Sequence, residues 1–186
     1  RSCGGKPVRL RWFGGEPLLA PDVIESLSEL LMVLAKEKGA EYSAGIITNG
    51  YLLTQKNADM LGRCEVKNCQ VTIDGLGATH DATRHLVGGG ATFDRIIENM
   101  RTVKIPFRVN IRQNVQESNM NEVETVRELI RKLAEESGND ITYAPAPVSS
   151  NEATRERGGQ VGLLCASDLS EIGLIQEAGR FAVGRG

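Results

Sequence analysis

From Val8 onward the chain repeats one unit: a short apolar run, a turn rich in glycine and polar side chains, then a stretch with apolar residues at helical spacing. Strands are expected at Val8 to Phe13, Ser43 to Thr48, Gln70 to Asp74, Phe107 to Arg112 and Ile141 to Ala144. A helix between each pair of strands forces them to run parallel with right-handed crossovers. Five strands are too few to close a barrel. The expected architecture is α/β, a partial parallel (β/α) barrel filling residues 1–147, with ligands at the carboxyl ends of its strands.

Pro21 to Lys38 places Val23, Leu27, Leu30, Leu31 and Leu34 at helical intervals and stops at Gly39. Leu53 to Leu61 follows, with Thr54 as its N-cap. After Asp74 a long polar loop leads to a helix over Thr92 to Val103, capped by Thr92 and burying Phe93, Ile96, Ile97 and Met100. Met120 to Ser137 turns Val123, Val126, Leu129, Ile130 and Leu133 inward and stops at Gly138. Residues 148–186 are rich in Ser, Asn, Glu, Arg and Gly and are expected to be a connection, with one helix at Leu169 to Ala178.

A net charge of -2 gives no electrostatic case for nucleic acid or an anionic membrane as partner, and 4% aromatic residues supply no stacking platform. No run of eighteen apolar residues exists, and Arg1 to Lys6 lack the apolar core of a signal peptide, so a cytoplasmic location is the default expectation. Cys3, Cys64, Cys69 and Cys165 match neither a zinc ribbon nor a dense disulfide framework. Cys64 and Cys69 are expected to share a loop.

The most informative octet is Arg11-Trp12-Phe13-Gly14-Gly15-Glu16-Pro17-Leu18. Glycines at 14 and 15 let the chain turn and expose main-chain groups, Glu16 suits an ammonium, and Pro17 fixes the exit toward a helix. Taken alone, the same residues describe a tight turn with an acidic group at a helix start. The company they keep favours a site: Thr48-Asn49-Gly50, Thr72-Ile73-Asp74-Gly75, His80-Asp81-Ala82-Thr83-Arg84 and Gly88-Gly89-Gly90-Ala91-Thr92-Phe93 follow in order. Gly88-Gly89-Gly90 lacks the GK[ST] of a phosphate loop and suits a hinge. Asn110, near the carboxyl end of its expected strand, is a polar candidate whose side depends on register.

Over about residues 8 to 145 this series resembles the radical S-adenosylmethionine (SAM) enzymes, in the branch that usually carries a C-terminal SPASM cluster domain and modifies peptides or proteins. The resemblance implies a TIM-barrel-like (β/α)6 fold of which this chain supplies strands two to six. The missing first strand would precede the CxxxCxxC loop that binds a [4Fe-4S] cluster, and this sequence contains no such triplet. The chain is therefore expected to be an internal fragment, inactive alone, of an oxidoreductase that reductively cleaves SAM with an electron donor and abstracts hydrogen from a peptide or protein substrate. By resemblance Gly14, Gly15 and Glu16 receive the SAM amino group, Pro17 shapes the turn, and Arg84 pairs with the SAM carboxylate. Thr48, Asn49, Thr72, Asp74 and Asn110 complete the cofactor-binding set. The rival readings are a degenerate barrel that grips a peptide or nucleotide without chemistry, and an unrelated α/β enzyme using GGEP as an ordinary pocket.

Overall fold

The computed structural model describes residues 5–147. The described residues hold five parallel strands in the order β1-β2-β3-β4-β5. These are β1 (Val8–Trp12), β2 (Tyr42–Thr48), β3 (Val66–Ile73), β4 (Arg108–Val115) and β5 (Ile141–Pro147). Between them run α1 (Pro21–Glu37), α2 (Gln55–Arg63), α3 (Gly77–Thr83), α4 (Phe93–Thr102) and α5 (Val123–Ser137). Sequence neighbours are sheet neighbours, the outcome of repeated β-α-β crossovers. The expected parallel α/β sheet is present.

One sheet face is the core: Ile46, Val71, Ile73, Val109 and Ile111 pack with Leu61, Ile96, Met100, Ile130 and Leu133. The residues alternating with them, including Arg9, Arg11, Ser43, Gly45, Asn68, Gln70 and Asn110, form an open face. At the far edge Pro145 and Pro147 sit inside β5. An edge strand tolerates proline because no further strand needs its missing amide.

Several elements differ from expectation. Helix α1 buries Ile24, Ser28 and Ala35, while Val23, Leu27 and Leu30 are exposed. Two apolar stripes one residue apart lie on this helix, and periodicity alone cannot choose between them. Strand β3 begins at Val66, so Cys69 is in the sheet rather than a loop, and Cys64 caps α2; both are buried. The polar loop after Asp74 contains α3, built around the buried His80. Thr92 does not cap α4 through its side chain; the Asp81 carboxylate accepts from the Thr92 amide at 2.7 Å and the Phe93 amide at 3.0 Å instead. Helix α5 starts at Val123 after a 3-10 turn over Glu117–Glu122. The expectations for residues 148–186, and for Cys3 and Cys165, lie outside the described residues.

Candidate functional site

Strand β1 ends at Trp12, and the chain then turns through Gly14 at φ 155° into a 3-10 turn, Pro17–Leu19. A side chain would strain the backbone at Gly14. At Gly15 the reason for glycine is different: φ is unstrained there and a Cβ would meet nothing within 4 Å, so that residue leaves open space beside the main chain.

Glu16 holds this turn against the next strand. Its Oε1 accepts from the Leu18 amide at 3.0 Å and the Thr48 hydroxyl at 2.7 Å, and its Oε2 accepts from the Asn49 amide at 2.7 Å. A carboxylate has about four acceptor positions, so one remains for a ligand. Asn49 turns its own Oδ1 to the Tyr51 amide at 2.9 Å. Thr48 and Asn49 thus shape the pocket wall through Glu16.

A second hub lies at the end of β3. Asp74 Oδ2 accepts from Arg84 Nε at 2.8 Å and Thr83 Oγ1 at 2.8 Å, while Oδ1 accepts from Asn114 Nδ2 at 3.0 Å. Arg84 is a third exposed, and its two terminal nitrogens make no hydrogen bond to a described residue. Ion pair and ligand contact are therefore compatible: Nε is the anchor, and the remaining donors are unoccupied among the described residues.

The loop between these groups is fixed by His80. Its Nδ1 accepts from the Asp74 amide at 3.3 Å, which assigns the proton to Nε2, and Nε2 then donates to Thr92 Oγ1 at 3.2 Å. Thr92 passes its own proton to the Arg84 carbonyl. Burial lowers the His80 pKa despite the opposing charges of Asp74 and Asp81, so the ring is neutral as this geometry demands. Desolvation pushes the Asp81 carboxyl up, but the Thr92 and Phe93 amides outweigh it and hold it below the usual range.

Thr72 and Asn110 both fall on the open face. Asn110 pairs in register with Gln70, and its Nδ2 donates to Thr142 Oγ1 at 3.1 Å. It is not near the carboxyl end of its strand, as the sequence suggested, because β4 runs on to Val115. The residue level with Thr72 is Arg112. Sequence reading passed over Arg112, Asn114, Asn119 and Glu122. Asn119 donates to the Asn114 carbonyl at 2.9 Å, and Glu122 accepts from the Leu76 amide at 2.7 Å and the Thr79 hydroxyl at 2.6 Å. Polar residues beginning the turn before a long helix were the available signal. Gly75, at φ 155°, is required there, since a Cβ would collide with Glu122 and Thr79.

Each hub offers one charged group with capacity to spare: a carboxylate beside open main chain at Gly15, and a guanidinium anchored through Nε to Asp74. The arrangement does not extend to a metal cluster. Among the described residues no group of three or more His, Cys, Asp or Glu could hold a metal ion. Cys69 is shut in the core, and burial, with Glu16 nearby, pushes its thiol up to about 12.

Residues 4–129 match the profile of the Radical SAM superfamily. The Pre-heme d1 synthase of Dinoroseobacter shibae is 29% identical over 175 residues, covering 93% of this chain and 39% of the relative. The Fe-coproporphyrin III synthase of Methanosarcina barkeri is 29% identical over 129 residues, covering 69% and 30%. The chain thus spans about two fifths or less of these relatives. Among solved structures, native anSMEcpe with bound AdoMet and Kp18Cys peptide aligns with a TM-score of 0.56 at 20% identity, covering 77% of this chain and 39% of that one. The histidine-tagged form of the same protein with bound AdoMet gives 0.59 at 21%, covering 75% and 36%. At such identities the structural likeness establishes a shared fold.

Proposed function

The chain belongs to the radical SAM superfamily, and we propose that it is the SAM-binding portion of an enzyme that abstracts hydrogen from a peptide or protein substrate. SAM and an iron-sulfur cluster, supplied with an electron by a donor, would furnish the 5'-deoxyadenosyl radical. The chain's own residues bind and orient. Glu16 and the Gly14-Gly15 main chain take the ammonium, Arg84 takes the carboxylate while Asp74 fixes its direction, and Thr72 and Asn110 line the path along the open face. Holding SAM rigidly is the catalytic contribution such residues make.

The observation that carries this reading is the Glu16 carboxylate, pinned by donors from its own turn and from the end of β2 and still holding one acceptor position beside open backbone. The test is SAM affinity in the full-length enzyme. Glu16→Ala should weaken it at least tenfold, and an unchanged dissociation constant removes Glu16 from the pocket.

The chain alone is proposed to hold no iron and form no 5'-deoxyadenosine, because its sequence contains no CxxxCxxC triplet and, among the described residues, both thiols are buried. Anaerobic reconstitution giving the broad visible absorption of a four-iron cluster would overturn this. A second reading, favoured by the two relatives named as synthases of pre-heme d1 and Fe-coproporphyrin III, is chemistry on a haem-type macrocycle. Incubating the reduced full-length enzyme with candidate peptides and with haem precursors, and following 5'-deoxyadenosine release, separates the two.

A further inference from the structure

Parallel sheets usually present apolar side chains on both faces. Around the open-face depression here, Ile47 is outnumbered by polar and charged side chains. A depression of about 280 Å³ lies across β1, β2, β3 and β4, with Arg9 and Arg11 on one side and Ser43, Asn68, Gln70 and Asn110 among its other walls. Gly45 lines it, level with Arg11 in β1 and Asn68 in β3. A Cβ there would meet only the Asn68 carbonyl, at 3.4 Å, so the space is unfilled rather than crowded.

The charge in this depression is one-sided. No Asp or Glu lines it. Arg63, Arg84, Arg101, Arg108, Arg127 and Arg131 each reach a carboxylate, whereas Arg9 and Arg11, like Arg95 and Arg112, make no ion pair with any described residue. They occupy alternate positions of one strand, about 7 Å apart. Two guanidinium groups at that spacing repel one another and attract anions, and each can grip a carboxylate through two parallel hydrogen bonds. The neighbouring amides and hydroxyl supply neutral donors for the remaining oxygens.

We propose that this depression is the substrate subsite of the radical SAM enzyme and that it selects a substrate bearing at least two carboxylates. The inference rests on the reading of the chain as the SAM-binding portion of that enzyme and adds the substrate's chemical class. Asn110, on the wall of the depression, is one same-face step below Arg112, which is level with Thr72. Carboxylates anchored at Arg9 and Arg11 therefore lay the rest of the substrate along the open face toward the strand ends where SAM is held. Acidic side chains at alternate positions of an extended peptide would meet this requirement, and so would a carboxylated macrocycle.

The experiment uses the full-length enzyme and two probe pairs: a fluorescent peptide with alternating Glu residues against its Gln counterpart, and a porphyrin tetracarboxylate against its methyl ester. At least fivefold tighter binding of the acid in one pair, lost in the Arg9→Gln, Arg11→Gln double variant, supports the proposal, and the responsive pair names the carboxylate source. Asn68→Asp, which puts a negative charge in the same depression, should abolish the preference by itself. A preference below fivefold in both pairs, or one that survives these substitutions, overturns it. SAM affinity, measured on the same samples, should stay unchanged in the variants. Absence of SAM binding in the unsubstituted enzyme would instead defeat the functional reading.

Discussion

Arg84 meets Asp74 through Nε alone, at 2.8 Å, so the guanidinium is aimed by one edge while its terminal nitrogens stay available. Replacing Arg84 by Lys keeps the charge and discards the fork. SAM affinity of the full-length enzyme should fall about tenfold, or ~1.4 kcal/mol. Asp74→Asn, which retains size but loses the ionic anchor, should produce part of that loss; equilibrium titration with SAM measures both.

Gly15→Ala separates folding from binding. The backbone there is unstrained and the added methyl meets nothing within 4 Å, so thermal stability should hold or rise by about 0.4–1 kcal/mol. SAM affinity should fall because the methyl enters the space reserved for the ligand. A variant that binds SAM normally shows that this space is not the cradle.

Glu16→Ala should also destabilise the fold, since the Thr48 hydroxyl and the Asn49 amide lose their acceptor. A cost of about 1–3 kcal/mol is expected for stranding such donors. Glu16→Gln keeps an acceptor oxygen and should recover part of it in denaturant melts.

His80 makes stability depend on pH. Its pKa is lowered from the ordinary 6.5, chiefly by burial. The unfolded chain therefore binds the extra proton first, so this contribution is complete above about pH 6.5 and is lost as pH falls below that value. Melting temperature should drop as pH falls below about 6.5. In His80→Gln the protein should be less stable at pH 7.5 and the slope in that window shallower; an unaltered slope assigns the effect to another group.

Cys69 should resist alkylation in the native protein, because its thiol is buried and its pKa stands at about 12. Mass mapping after brief iodoacetamide treatment should find it unmodified until the chain is globally unfolded.

Much of the fold was legible because each element carried its own local signal. Gly138 stops α5 at φ 71°, and Thr54 caps α2 with its side chain accepting from the Asn57 amide. Phe93, Ile96, Ile97 and Met100 are buried as their spacing required. Helix α3 escaped detection because it is short and polar, and is held by His80 and Asp81 reaching to residues eleven or twelve positions away. The inward face of α1 was hidden for a related reason: both stripes look apolar, and only the packed sheet selects one.

The sequence by itself determined that strands and helices alternate, that the sheet is parallel, and that GGEP, TNG and TIDG cluster at the carboxyl ends of neighbouring strands, because periodicity and turn chemistry act over a few residues. Tertiary structure decided which polar groups are already occupied. Glu16 is tied to β2, Arg84 is tied by one edge to Asp74, and Asn110 sits below Arg112 rather than at the strand end, since hydrogen-bond partners and register join residues far apart in the chain. Local composition holds no record of those distances.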